Sequence, residues 1–173
     1  MMNQIEMLVK QTNDAYNWTN KLLNSVPYHK WKDTPKVMDS NICWQAGHIL
    51  VGIYFHSIMV VIGHQMDVLQ KIPLKDYADR FMDKSPEEAA ENVNPEELYE
   101  QLLFMQQKSI QTLSALPESG LDNALEPSPT PHPIAHNKFE ALDWNIKHTM
   151  WHCGQLGMLK RVVDERFDFG LKR

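Results

Sequence analysis

Cysteine is scarce in this chain, with two in 173 residues, too few for a disulfide framework. Glycine is scarce as well, seven in all, and no long biased tract is present, which excludes fibrous and low-complexity classes. Cationic excess is missing: 17 Lys and Arg stand against 22 Asp and Glu, for a net charge of −5 with His neutral. Nor is there a basic patch of Lys and Arg interleaved with aromatics. Phosphate-backbone binding needs clustered cations, so no nucleic-acid partner is expected. The opening residues, MMNQIEMLVKQTND, show no basic region followed by an apolar run, so no signal peptide is expected. The most apolar stretch, 49–62, is fourteen residues long with His56 in its middle, too short to span a bilayer. A buried core helix fits it better. The expectation is a cytoplasmic, reduced protein with no membrane partner. Period-two alternation long enough to build a sheet is also lacking.

What is present is ordinary for a globular protein: 43% hydrophobic and 23% charged residues. The length fits one domain, 1–173. Such a domain buries enough core to fold without staples, so a bound metal would be functional rather than structural. Apolar positions at helical spacing predict four long helices over 4–26, 42–66, 95–116 and 139–165. Pro27 closes the first, and Asp39, Ser40 and Asn41 each suit the cap of the second. The second is apolar almost all round and should be the most buried. Ser85-Pro86-Glu87-Glu88 and Asn94-Pro95-Glu96-Glu97 are helix starts. Their paired carboxylates therefore serve caps and dipoles rather than catalysis. Four of the ten prolines lie between Pro127 and Pro133, which makes 117–137 a loop. The fold class is therefore all-α, a four-helix bundle with long crossover connections.

Chemistry concentrates in the eight histidines. His148 and His152, in HTMWH, are four apart in the last helix, so both imidazoles lie on one face. Such a pair can bite one metal ion and needs a third ligand. His48, on the most buried helix, is the candidate, because a buried imidazole requires a partner. An isolated pair is ordinarily polar surface, and a lone core histidine is ordinarily structural. The three together carry more weight, since facing helices of a bundle build metal sites. Zincin chemistry is excluded: Thr149 stands where His-Glu-x-x-His needs its Glu. His56 and His64 are expected to be structural or on the surface, His29 on the surface, and His132 and His136 in a loop that could fold over the site, although loop histidines are ordinarily solvated. Gln155, at i+7 from His148, could hold a ligating histidine or a water. Trp44, Trp144 and Trp151 suit core packing or an apolar wall. Cys43 and Cys153 suit the core rather than nucleophilic work.

WQAGHIL around His48 and NIKHTMWHCGQL around His148 and His152 resemble the DinB superfamily. Its most specific mark is His-x3-His-x-Gly-Gln near the end of the last long helix. That resemblance implies a four-helix bundle of down-up-up-down connectivity with a divalent metal held by His48, His148 and His152. It further implies a homodimer and thiol-dependent S-transferase-like chemistry on a small-molecule electrophile, with a low-molecular-weight thiol as co-substrate. No shared catalytic acid or base carries over to a residue here. Zinc is favoured by ligand type, while nickel, manganese and iron also suit imidazole. The alternative is a non-catalytic helical binding or scaffold protein with a vestigial metal site.

Overall fold

The computed structural model describes residues 2–170; residues 1 and 171–173 of the expected domain lie outside it. Its long helices are α1 (Gln4–Asn24), α2 (Ile42–Ile62), α6 (Pro95–Ala115) and α7 (Lys138–Val163). Three short helices fill the connection after α2: α3 (Met66–Leu69), α4 (Leu74–Asp83) and α5 (Pro86–Ala90). The fold is all-α. Among the described residues the only β pairing is one isolated bridge, Ala124 with Asn137.

Side-chain oxygens start most of these helices. Asn3 and Glu6 form a capping box on α1, Ser85 and Glu88 one on α5, and Asn41, Asn94 and Asn137 cap α2, α6 and α7. Of the three cap candidates at 39–41, Asn41 is used, and its amide also donates to the Pro86 carbonyl at 2.7 Å. That bond ties the start of α2 to α5. α2 stops at Ile62 rather than 66, because Gly63 adopts φ +80, which favours glycine. Near its end α2 widens into a π turn over Phe55–Met59.

Interhelical bonds fix the connectivity. Tyr16 bonds Ser109 at 2.8 Å and Asn20 bonds Gln106 at 2.8 Å, so α1 and α6 are antiparallel. Gln45 bonds Gln155 at 2.7 Å and His48 faces His148, so α2 and α7 are antiparallel. Leu8 clusters with Ala141 and Leu142, while Tyr16 accepts from Asn145 at 3.0 Å, so α1 and α7 are parallel. The order is down-up-up-down.

The core sits among these four helices, with Leu22, Ile49, Leu50, Ile53, Leu98 and Leu102 all fully buried. By length and apolarity α2 could cross a membrane, yet 83% of its most apolar window is buried inside the bundle. The packed core accounts for that hydrophobicity.

Candidate metal centre

α2 and α7 meet at three imidazoles. His148 Nε2 lies 3.2 Å from His48 Nε2 and 3.2 Å from His152 Nε2. The three ligand nitrogens all fall within 4.8 Å of one another, and among the described residues no carboxylate or thiol joins the group. Sequence spacing put the α7 pair on one face; the antiparallel packing of α2 brings in His48.

The outer nitrogens decide what the inner ones can do. His48 Nδ1 donates to the Phe81 carbonyl at 2.9 Å. His152 Nδ1 donates to Gln45 Oε1 at 2.6 Å. Gln45 is oriented in turn, its amide donating to Ser40 Oγ at 2.8 Å and Gln155 Oε1 at 2.7 Å. With their protons on Nδ1, neutral His48 and His152 point bare lone pairs inward. His148 can give a proton to at most one of them. Three converging nitrogens with at most one proton are short of positive charge, which suits a cation. The 3.2 Å spacing is close to the ~3.4 Å between two nitrogens each ~2.1 Å from a tetrahedral zinc. The residues present therefore fit a divalent metal.

Electrostatics point the same way. Burial, with neighbouring imidazole charge adding to it, holds His148 down at about 4 and His152 at about 3. Burial likewise lowers His48, against the opposing effect of its bond to Phe81. All three are neutral near pH 7, the state a metal requires.

Two glycines make the assembly possible. A Cβ on Gly47 would sit 2.4 Å from the Phe81 ring, so glycine there lets α4 press Phe81 and its carbonyl against α2. A Cβ on Gly52 would lie 2.7 Å from His148 Cε1. Trp44 stacks on His48, with ring centroids 4.7 Å apart and planes 18° apart.

The cluster borders a cavity of about 1020 Å³, lined by His48 and His148 but not by His152. Ser128, Pro129, Thr130, Pro131 and Pro133 form one wall, so the proline-rich loop folds over the site. Trp144 lines this cavity, whereas Trp151 is 63% exposed and is no wall. Cys43 and Cys153 are buried, and burial pushes the Cys43 thiol up to about 12, so neither is a nucleophile. Gln155 reaches no histidine directly; it acts through Gln45.

His56 and His64 depart from the sequence expectation, since both line the cavity. Tyr54 bonds His64 Nδ1 at 2.9 Å, and His56 bonds His132 at 2.8 Å. His48, Val51, Gly52, Phe55, His56 and Met59 form one lining stripe of α2. The ~80° offset of His56 from His48 lies within an apolar stripe more than ~100° wide. His48-x3-Gly-x3-His was the available signal. His136 and His29 are exposed, as expected.

The family model of the DinB superfamily matches residues 11–156. No curated protein matches the chain. Among solved structures, a conserved protein from Enterococcus faecalis superposes with a TM-score of 0.71 at 16% identity, covering 94% of this chain and 98% of that one. That likeness shows a shared fold.

Proposed function

The chain belongs to the DinB superfamily, and from that membership and the converging histidines we propose that it is a divalent-metal-dependent enzyme. Its chemistry would be thiol-dependent S-transfer to a small electrophile. The observation that carries this reading is the set of three Nε2 atoms, two of them stripped of protons by Phe81 and Gln45. A divalent ion held by neutral imidazoles keeps its charge and an open position, and so lowers the pKa of a water or thiol bound there.

The protein's own groups supply the rest. Phe81 and Gln45 fix the ring orientations, and Trp44 covers one face of His48. Val51, Met59, Leu69, Leu74 and Met82 give the cavity an apolar wall suited to a small electrophile. Zinc is the preferred metal, with nickel, manganese or iron also compatible. We place the protein in the cytoplasm, acting on small molecules rather than on nucleic acid or membranes, as a homodimer.

Elemental analysis of protein purified without an affinity tag tests the metal. About one divalent ion per chain is expected in the parent. His148→Ala should lose most of it while circular dichroism stays unchanged, because the core needs no staple. A parent that neither carries metal nor binds added zinc or nickel would leave a helical scaffold with a vestigial site.

A further inference from the structure

Beside the three histidines stands a second imidazole pair whose protons are placed by backbone amides. His132 Nδ1 faces the amide of Ala135 at 2.8 Å and that of Ile134 at 3.2 Å. Both are donors, so Nδ1 accepts and carries no proton. A neutral imidazole has one N–H; His132 therefore carries it on Nε2 and donates it to His56 Nδ1, 2.8 Å away. His56 in turn keeps its own proton on Nε2. Among the described residues its only side-chain hydrogen bond is the one to His132, which leaves the Nε2–H free.

That free edge is placed usefully. His56 lines the cavity together with His48 and His148. Its Cδ2, next to Nε2, lies 3.7 Å from where a Gly52 Cβ would be, the same bare patch of α2 that admits the His148 ring. The His56 and His148 ring centroids are 5.1 Å apart, yet His56 is not one of the converging ligand atoms. His132 is braced by Pro131 and Pro133 on either side in the chain and by Phe55, stacked at 5.4 Å and 6°. A donor held this firmly loses little freedom on binding.

We propose that His56, held in its Nε2–H form by His132, is a ligand-positioning donor that hydrogen-bonds an acceptor oxygen or anion of the molecule occupying the cavity beside His48, His148 and His152. The inference rests on the metal-site reading above. It narrows the substrate class to a mainly apolar molecule with one acceptor group close to the metal.

Two measurements test it. In metal-free protein, imidazole ¹⁵N–¹H correlation spectra should show His56 and His132 both as Nε2–H tautomers. His132→Phe should convert His56 to a tautomer mixture, whereas His132→Gln, whose amide can donate, should preserve the wild-type signature. In cobalt-loaded protein, azide serves as the acceptor probe and is followed by visible absorption. His56→Phe should bind cobalt within about twofold of the parent but azide at least about tenfold more weakly, the size of one hydrogen bond to a charged acceptor. Should His56→Phe fail to fold, His132→Phe against His132→Gln makes the same comparison. An Nδ1–H tautomer at His56 in the parent overturns the proposal, as does undiminished azide affinity in a cobalt-binding variant. Failure of the parent to bind cobalt would overturn the metal-site reading along with it.

Discussion

Gln45 accepts the Nδ1 proton of His152 while both hydrogens of its own amide are committed to Ser40 and Gln155. Rotating that amide would set its oxygen against Gln155 Oε1, so the network favours this orientation and, with it, the Nδ1–H tautomer of His152. Gln45→Leu should therefore keep the helix and lose the constraint. We expect metal affinity to fall by about 10–100-fold, read by competition with a chelator. Gln155→Ala should cost less, since Ser40 still holds Gln45. Equal affinity in the parent and Gln45→Leu would mean that the relay does not tune His152. The three converging histidines were legible in the sequence because helical spacing and a buried helix single them out. Gln45 was not, being one buried polar residue with no spacing signal. The Phe81 carbonyl could not be, because a backbone acceptor leaves no trace in residue type. His56 lines the cavity despite its offset from His48, because ~80° is small against the width of the lining stripe.

Helix ends were legible at several of the caps and breakers that carry them. Asn41, Ser85-Pro86 and Asn94-Pro95 mark starts that the structure uses, and Gly63 marks an end that apolar content alone overran. The π turn of α2 and the short helices α3 and α4 were not legible: they depend on tertiary packing, as where Phe81 lies against Gly47. On α7 the outer face raises a separate question. Trp151, Met158 and Val162 are 63%, 52% and 44% exposed, at i, i+7 and i+11, and Gly154 and Gly157 between them have open space where a Cβ would lie. Small residues among large apolar ones let a second helix approach closely. If this face joins two copies, light scattering should give a dimer, and Trp151→Glu with Met158→Glu should give a monomer that retains its metal. A single monomer-sized parent species at high concentration would count against it.

The bundle as a whole holds several imidazoles neutral, and that sets how its stability responds to acid. His148 titrates at about 4, His152 at about 3 and His56 at about 2 in the folded protein, against 6.5 for an unperturbed histidine. Burial is the leading cause for each. His48 and His132 are lowered in the same direction. As pH falls below 6.5 the unfolded chain takes up protons that the native chain refuses, so stability must fall. The contribution is fully present above 6.5 and disappears on the way down to the folded values. Asp164, held at about 2 by Lys160 and Lys30, adds the same sign only below its ordinary 3.8. Between those two ordinary values, 6.5 and 3.8, histidines dominate the slope. Urea midpoints of metal-free protein should therefore be level near pH 8 and 7, lower at about pH 5, and lower again at about pH 4. His152→Phe should flatten that decline by removing one of the groups concerned. Added zinc should raise the midpoint at neutral pH and lose its effect with acid, because it requires the same unprotonated nitrogens. A midpoint that does not move between neutral pH and about pH 5 would show that the native rings take up protons as readily as the unfolded chain does, so that burial does not hold them neutral in acid.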